Sequence, residues 1–241
     1  MDHGALVAFD FDHTICDDNT DTVVQKLLAA GAMSSDVQNL RKSGWLVYMN
    51  KIFELLHESS VSASQIKDII VSIPAVTGME MLLASLHANG HKVIIISDSN
   101  SVFIDYWLRG RQLEHTVSQV FTNPARYDEN GRLRVEGYHA QYTCKMSAVN
   151  LCKGQVLTNY IQDRRMQGEV FERVVYVGDG RNDLCPILRL SETDLACPRK
   201  DYPLIDKLSK LPASLSMKAK VVAWKNGTEL QRGLEQIIKI H

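Results

Sequence analysis

The sequence predicts an α/β protein with a doubly wound, mostly parallel sheet and a small helical cap inserted after the first strand. Over most of the 241 residues, short apolar segments alternate with segments whose apolar residues recur at helical spacing. Such βα units build parallel sheets that are covered by helices on both faces. The alternation is interrupted once, directly after the first apolar segment, where several helical patterns follow one another without a strand between them.

The charge balance and the cysteine count limit the possible functions. The chain has 27 Lys and Arg against 28 Asp and Glu, for a net charge of −1, which offers no electrostatic basis for binding nucleic acid or an anionic membrane. The sequence shows neither a signal-peptide pattern nor an apolar run of about 18 residues, the length that spans a bilayer. Its five cysteines are scattered and odd in number, which is typical of a reducing compartment. A soluble, cytoplasmic protein is therefore predicted, and its oligomeric state is left open.

The first strand is predicted over residues 5–11, where a short apolar run ends in two acidic residues, Asp10 and Asp12. The region that follows carries only helical patterns, and its helices have apolar faces that can pack against other elements. We therefore interpret it as an inserted cap and not as a linker. The predicted domains are the cap, 17–75, and the α/β catalytic core, 1–16 and 76–241.

After the cap, strands and helices alternate to the end of the chain. Runs such as KVIIIS and RVVYV are rich in β-branched residues and are typical of buried strands, and the segment around Glu129-Asn130-Gly131 is typical of a hairpin turn. The predicted elements are a helix at 78–88, a strand at 92–97, a helix at 101–110, a short strand at 119–122, a hairpin turning at 129–131, a helix at 145–165, a strand at 173–177, a helix at 183–190, a short strand near 195, a strand at 219–224 and a C-terminal helix.

Polar residues follow three of the predicted strands at their carboxyl ends, the edge at which open α/β sheets bind their ligands. The segments are FDFDHT, IIISDSN and YVGDGRND, and a lysine lies between the last two in NLCKGQVL. We therefore expect four carboxylates, a hydroxyl and an amine in one crevice, contributed by Asp10, Asp12, Ser97, Lys153, Asp179 and Asp183.

Carboxylates that are collected in one place repel each other, so the predicted crevice needs a cation. Oxygen ligands without a nearby set of His and Cys favour Mg²⁺ over zinc. A carboxylate beside that ion and a lysine can act as a nucleophile and form an aspartyl-phosphate. A second acid two residues along lies on the same side of the strand, where it can protonate the leaving oxygen and then activate water. Each motif alone also fits a turn or a helix cap; their order and placement together predict catalysis.

These motifs resemble the four signature motifs of the haloacid dehalogenase superfamily of phosphatases. The resemblance implies a Rossmann-like core with an inserted cap and a Mg²⁺ cofactor. It implies that Asp10 is the nucleophile and Asp12 the general acid/base, while Ser97 and Lys153 contact the phosphate and the nucleophile. The implied Mg²⁺ ligands are Asp10, Asp179, Asp183 and Asp12, the last through its main-chain carbonyl.

A closer resemblance is carried by DFDHTICDDNTD, SIPAVTGM, FERVVYVGDGRND and ACPRKDYP. These segments are similar to the phosphoethanolamine/phosphocholine phosphatase group, which also contains its sister, pyridoxal phosphate phosphatase. The chain departs from that group at two places: His13 stands where a glutamate is usual, and Ser147 replaces the second cysteine of a CxxC that starts at Cys144. Without that cysteine pair, Cys144 and Cys152 are interpreted as structural residues.

The cap and its surroundings are expected to choose the alcohol of the ester. By resemblance, Asp21 and Asp98 face the ammonium end of the substrate, and a cationic group gains from carboxylates in a pocket of low dielectric constant. Trp45 and Tyr48, three residues apart in the cap, are candidates for a cation–π wall. Core packing is the alternative for the two rings, and a helix-start position is the alternative for Asp21.

The leading hypothesis is a Mg²⁺-dependent phosphomonoesterase acting on phosphoethanolamine or phosphocholine, with a small-molecule ester as its predicted partner. Pyridoxal 5′-phosphate is the main alternative substrate. Phosphoserine is a weaker one, because its carboxylate would need a basic residue near the cap entrance. A hypothesis from another class is a phospho-aspartate signalling or binding module, but such a receiver domain is shorter and needs neither Asp12 nor the cap.

Overall fold

A parallel sheet forms the centre of the computed structural model, which describes residues 4–212 and 215–240. Within these residues the strands are β1 (Leu6–Phe9), β2 (Lys92–Asn100), β3 (Gln119–Asn123), β4 (Ala125–Tyr127), β5 (Leu133–Val135), β6 (Val174–Gly178), β7 (Leu195–Pro198) and β8 (Lys220–Val221). The main sheet has the order β3-β2-β1-β6-β7-β8, and each neighbouring pair in it is parallel. β4 and β5 form a separate antiparallel hairpin at the predicted place. The predicted fold class is thereby confirmed.

Helices cover the sheet and fill the region after β1. The α-helices of the described residues are α1 (Thr20–Val24), α2 (Ser35–Asn39), α3 (Trp45–Glu58), α4 (Ala63–Val71), α5 (Met79–Ala88), α6 (Ser101–Gly110), α7 (Lys153–Met166), α8 (Leu184–Ile187), α9 (Pro203–Ser209) and α10 (Gly227–Glu235). The longest, α3 and α7, have 14 residues each, which corresponds to about 21 Å. In the part of the chain that the structure describes, no helix is long and apolar enough to cross a bilayer.

Each face of the sheet is buried under its own helices, because successive strand residues point to opposite sides. In β1, Val7 and Phe9 join an apolar cluster that contains residues of α5, α6 and α10. Leu6 and Ala8 join a second cluster with residues of α7, α8 and α9. All four side chains are completely buried. The central strand is thus packed on both faces, and the residues that directly follow it start from a rigid position.

The helices α1 to α4 lie in the region that was predicted as the cap. The chain leaves the core and returns to it at the same place. There, Cys16 and Ala75 form an antiparallel bridge, and the Asp17 N–H donates to the Pro74 carbonyl at 2.8 Å. Buried residues of α3 and α4 belong to the same apolar cluster as one face of β1. The insertion therefore rests on the core; its boundaries at 17–75 stay a prediction.

The helix predicted at 145–165 is wrong at its amino end, because α7 begins at Lys153. The residues before it form a loop in which Gln141 donates to three main-chain carbonyls, so these carbonyls do not need a helical N–H as their partner. Gln141 Nε2 donates at 3.1, 3.2 and 2.8 Å to the carbonyl oxygens of Cys144, Ser147 and Ala148.

Three further elements differ from the prediction. β2 continues past Ser97 to Asn100, since a shift of register between these two residues lets the strand keep its pairing with β3. The strand predicted at 219–224 is reduced to β8, an exposed edge strand that pairs only with β7 among the described residues. Helix α9 was not predicted, although Pro203 stands at its first position, where proline is favoured.

Candidate active site

The carboxyl ends of β1, β2 and β6 meet at one edge of the sheet. β1 lies between the other two strands, and the connections to its neighbours run in opposite directions, which opens a crevice at its carboxyl end. A cleft of about 130 Å³ occupies this place. It is lined by Asp10, Asp12, His13, Asn19, Ser97, Asp98, Ser99, Asp179, Gly180 and Asn182. Residues of all three predicted strand-end motifs therefore line one cleft.

A larger concavity, of about 340 Å³, lies at the opposite end of the same strands, beside Ala5, His91 and Arg173. The acid that lines it is Glu172, so it holds no cluster of carboxylates. We assign the chemistry to the smaller cleft, because catalytic groups define a site better than its volume does.

The carboxylate of Asp10, directly after β1, contacts the buried amine of Lys153. Lys153 Nζ lies 2.5 Å from Asp10 Oδ2 and 2.8 Å from Asp183 Oδ1. The N–H of Phe11 donates to Asp10 Oδ1 at 2.6 Å, so the amine binds one oxygen and the main chain the other. Burial by itself would lower the pKa of Lys153, but the charges of Asp10 and Asp183 outweigh it and raise the pKa above its ordinary value. The lysine is therefore charged and orients Asp10.

Asp183 is held in place by four hydrogen-bond donors, of which the lysine amine is one. Its Oδ1 also accepts from the Tyr176 hydroxyl at 2.8 Å, and its Oδ2 accepts the N–H groups of Asp179 and Gly180 at 3.1 and 2.9 Å. Gly178 permits this approach, since an added Cβ would lie 2.5 Å from Asp183 Cγ. The sequence analysis did not identify Tyr176. A single hydroxyl in an otherwise aliphatic buried strand could have indicated that this side chain has a polar partner in the site.

Three acids form a cluster that suits a divalent cation. One carboxylate oxygen each from Asp10, Asp179 and Asp183 lies within 4.8 Å of the others. Burial, followed by the charge of Asp183, raises the pKa of Asp10 above its ordinary value and raises that of Asp179 to about 7. The single charge of the lysine offsets one of three carboxylates, so a further cation is needed for all of them to ionise. The all-oxygen donor set is compatible with Mg²⁺.

Asp12 follows Asp10 by two residues, but its carboxylate is turned towards the start of α1. It accepts the N–H and the hydroxyl of Thr20 at 3.1 and 3.2 Å and the amide of Asn19 at 3.2 Å. Burial, followed by the charge of Asp21, raises the pKa of Asp12 to about 7, which suits a group that exchanges protons near neutral pH. Its carboxylate is not part of the three-acid cluster, so the predicted metal ligation by Asp12 is left to its main-chain carbonyl.

The end of β2 brings Ser97 and Asp98 to the cleft, as predicted. Ser97 is buried, and its hydroxyl oxygen accepts the N–H of Ser99 at 3.2 Å. Asp98 lines the cleft, and its carboxylate accepts from the amides of Asn182 at 2.6 Å and Asn150 at 3.4 Å. Sequence reasoning did not assign a role to Asn182, although it stands inside the GDGRND motif.

The other predicted substrate residues, Asp21, Trp45 and Tyr48, do not line the cleft. The indole N–H of Trp45 donates to the buried carboxylate of Asp21 at 2.6 Å, and burial raises the pKa of Asp21 to about 6. Tyr48 is completely buried, and its hydroxyl donates to Gln25 at 2.7 Å. The guanidinium of Arg41 lies 4.6 Å from the Tyr48 ring centre and 5.8 Å from that of Trp45. The two rings thus already contact a cation of the chain, and substrate contact by Trp45 or Tyr48 stays a prediction.

Arg199 holds the loop after β1 in place. The sequence analysis gave this residue no role. Its guanidinium donates to the His13 carbonyl at 2.5 Å and to the Asp17 carboxylate at 2.8 Å. His13 has a positive φ of 57°, an uncommon conformation for a residue other than glycine. The arginine therefore stabilises the turn that carries the backbone from Asp12 to the insertion.

A sheet of this topology with acids arranged around a buried lysine defines a phosphatase of the haloacid dehalogenase class. The family model described as "Putative Phosphatase" matches residues 5–238, and the chain belongs to that family.

Two curated relatives cover nearly the whole chain. Pyridoxal phosphate phosphatase PHOSPHO2 of Mus musculus is 38% identical over 239 residues, covering 98% of this chain and 99% of the relative. Phosphoethanolamine/phosphocholine phosphatase of Homo sapiens is 33% identical over 240 residues, covering 97% and 89%. Among solved structures, a substrate-bound phosphoserine phosphatase matches with a TM-score of 0.63 and 18% identity, covering 97% of this chain and 98% of the other. That likeness shows a shared fold.

Proposed function

We propose that this protein is a Mg²⁺-dependent phosphomonoesterase that hydrolyses small phosphate esters through a phosphorylated Asp10. The observation that carries the proposal is the 2.5 Å contact between Asp10 and the buried amine of Lys153, beside a cleft lined by further acids. A carboxylate that is desolvated, oriented and paired with a fixed cation meets the conditions under which aspartate acts as a nucleophile.

In the proposed reaction, Asp10 attacks phosphorus while Asp12 gives a proton to the leaving oxygen, so the ester P–O bond breaks and the alcohol departs. Asp12 then takes a proton from a water molecule, which attacks the phosphorus of the aspartyl-phosphate and releases inorganic phosphate and free Asp10. In both steps, Lys153 and the hydroxyl of Ser97 bind the phosphoryl oxygens and stabilise their negative charge as it is redistributed during the reaction. When bound, Mg²⁺ supplies positive charge to those oxygens, and its proposed ligands are Asp10, Asp179, Asp183 and the main-chain carbonyl of Asp12.

The lining of the cleft favours an ester that carries a positive charge, such as phosphoethanolamine or phosphocholine. Asp98 is the acid that lines the cleft without belonging to the metal cluster or the proton-transfer group. Among the described residues that line the cleft there is no lysine or arginine, and the buried amine of Lys153 is already paired with Asp10 and Asp183 at the phosphoryl end of the site. A substrate carboxylate, as in phosphoserine, would meet like charges there without a partner, whereas an ammonium group would be attracted.

Pyridoxal 5′-phosphate is the second candidate substrate, and sequence similarity favours it. Relatives named pyridoxal phosphate phosphatase are 38% and 39% identical to this chain, against 31% and 33% for those named phosphoethanolamine/phosphocholine phosphatase. The cluster of acids and its chemistry are the same for both substrates, so the two proposals differ only in what binds the leaving group.

The proposed function is tested by phosphate release from phosphoethanolamine, phosphocholine, pyridoxal 5′-phosphate and phosphoserine, each with Mg²⁺ and with EDTA. We expect the highest kcat/KM for the first two, and a loss of at least about 100-fold in EDTA, because a catalytic metal supplies several kcal/mol. Excess Mg²⁺ should restore the activity. Preference for pyridoxal phosphate would select the second candidate, preference for phosphoserine would contradict the assignment of Asp98, and activity that persists in EDTA would contradict the metal requirement.

Asp98→Asn is expected to lower kcat/KM for phosphoethanolamine by about 10- to 100-fold, the effect of removing one charge near an ammonium group at intermediate dielectric constant. Hydrolysis of p-nitrophenyl phosphate, whose leaving group is not cationic, should change by less than about threefold. The matched control is Asp105→Asn, which removes an exposed acid paired with Arg109 on the surface of α6 and should affect neither ester. An equal loss on both esters in Asp98→Asn would show that Asp98 holds the site together and does not recognise the amine.

We also propose a cytoplasmic location, with a small-molecule ester as the partner. All five cysteines are free, which supports a reducing compartment. The test is fractionation of cells that make the protein, and recovery in an oxidising compartment would contradict it.

A further inference from the structure

Three cysteine sulfurs meet behind the catalytic lysine. Cys185 Sγ lies 3.4 Å from Cys144 Sγ and 3.6 Å from Cys152 Sγ, and all three sulfurs lie within 4.8 Å of one another. They come from three separate segments: the loop before α7, the residue that precedes Lys153, and the first turn of α8, two residues after Asp183. The cluster therefore touches both segments that carry the groups around Asp10.

The spacing of the sulfurs matches a metal site better than a disulfide. In a tetrahedral zinc site with Zn–S bonds of about 2.3 Å, the sulfur atoms are about 3.8 Å apart. A disulfide needs about 2.05 Å, and the sulfurs of Cys144, Cys152 and Cys185 are all well beyond this length. Soft thiolate ligands select zinc-like ions over Mg²⁺, so the sulfur cluster and the all-oxygen cluster would bind different metals.

The surroundings of the sulfurs contain groups that stabilise thiolates. The hydroxyl oxygen of Ser147 lies 3.5 Å from the sulfur of Cys144. The guanidinium of Arg189 lies 3.9 Å from Cys152 Sγ. Hydrogen bonds and positive charge around the ligands are what metal-bound cysteines require from their neighbours.

The backbone at the start of α7 is shaped to admit the cluster. An added Cβ on Gly154 would lie 2.6 Å from Cys185 Sγ and 2.7 Å from Arg189 Nε, so only glycine lets α8 approach this closely. On the other side, Gln141 organises the loop that presents Cys144, both through the carbonyl contacts described above and by accepting the Cys144 N–H at 2.9 Å. Cys152 and Cys185 are buried, while Cys144 and Ser147 are partly exposed, so the cluster opens to solvent on the side of these two.

We propose that Cys144, Cys152 and Cys185 bind a zinc ion as three thiolates, with the fourth coordination position on the side of Ser147. Each thiol that binds releases its proton to solvent, so no oxidant or reductant is involved. The ion joins the loop before α7 to the segments that carry Lys153 and Asp183, and it acts as a structural brace for the catalytic centre. This inference is independent of the substrate proposed above.

The test begins with metal analysis of the full-length protein in buffer with excess Mg²⁺, which keeps the oxygen cluster saturated. We expect one zinc per chain, and addition of Co²⁺ to the zinc-free protein should give the intense near-ultraviolet bands of thiolate-to-cobalt charge transfer. In Cys144→Ser and Cys185→Ser, metal affinity should fall by at least about tenfold. Removal of a mere hydrogen-bond partner of a metal ligand already lowers affinity by about this factor, so removal of a ligand itself should lower it by at least as much. The matched control is Cys197→Ala, which removes a buried free thiol from β7 and should leave the metal and the cobalt bands in place.

A gain-of-ligand variant keeps the test decisive if a cysteine variant fails to fold. Ser147→Cys should tighten zinc binding and strengthen the cobalt charge-transfer bands, since four thiolates form a complete tetrahedral site. Removal of zinc from the wild-type protein should lower its Tm, and returning zinc should restore it. The proposal is overturned if the cobalt bands survive the loss of Cys144 and Cys185, or if the purified protein contains no zinc and its Tm does not change when zinc is added. A mass deficit that reveals a disulfide among the three cysteines would also overturn it.

Discussion

Asp10→Asn is expected to abolish turnover, with kcat for every phosphate ester at least about 10⁴-fold below that of the wild type, as for removal of a catalytic nucleophile. The amide has nearly the same shape as the carboxylate, so α7 and the cleft keep their positions. It has no anionic oxygen to attack phosphorus, and its one carbonyl oxygen can replace only one of the two carboxylate oxygens that accept from Lys153 and the N–H of Phe11. The measurement is steady-state hydrolysis of phosphoethanolamine and p-nitrophenyl phosphate with saturating Mg²⁺.

A second measurement on the same variant tests the intermediate. Acid-quenched wild-type protein incubated with a ³²P-labelled ester should carry label that hydroxylamine removes, as an aspartyl-phosphate does, whereas Asp10→Asn should carry none. Mass spectrometry must exclude reversion of the asparagine to aspartate. Metal-dependent hydrolysis in an intact Asp10→Asn protein, or label on another residue, would rule out Asp10 as the nucleophile.

Asp12→Asn is expected to separate the two half-reactions. Loss of a general acid/base lowers kcat by about 10²- to 10⁴-fold, but the step that becomes limiting depends on the ester. p-Nitrophenolate leaves without a proton, so this ester should give a rapid release of one equivalent of nitrophenol, followed by slow turnover while the phosphorylated Asp10 accumulates. Phosphoethanolamine has a poor leaving group and should show no such burst. The raised pKa of Asp12, about 7, is the physical basis, because the group can both give and take a proton near neutral pH.

The matched control for Asp12→Asn is Asp18→Asn, in the same loop. Asp18 is a partly exposed acid that pairs with Lys26 at 3.5 Å, and exposed pairs of this kind contribute about 1 kcal/mol or less. Asp18→Asn should therefore show no burst with p-nitrophenyl phosphate, and its kcat should be near that of the wild type. Equal turnover of wild type and Asp12→Asn on phosphoethanolamine would remove Asp12 from the proton-transfer role.

The fold class and the principal acids were predictable because they depend on local patterns. Strand and helix periodicity are properties of neighbouring residues, so β1, β2 and β6 could be identified from their apolar runs. The rule that ligands bind at the carboxyl edge of a parallel sheet then brings Asp10, Ser97 and Asp179 together without any knowledge of packing. The predicted start of α7 was wrong because that boundary does not follow from local propensity. It depends on the contacts that Gln141 makes with the preceding loop.

Which buried groups pair with each other was decided only by the tertiary structure. Trp45 binds Asp21 across 24 residues of sequence, Cys144 meets Cys185 across 41, and Asn182 binds Asp98 across 84. No periodicity encodes such pairs: they arise when helices pack on a sheet and every buried polar group must find a partner. The sequence by itself predicted the fold, the phosphatase family and the acids that meet at the carboxyl edge of the sheet. The packing of distant segments decided that the aromatic pair contacts Arg41 and that three thiols meet behind Lys153.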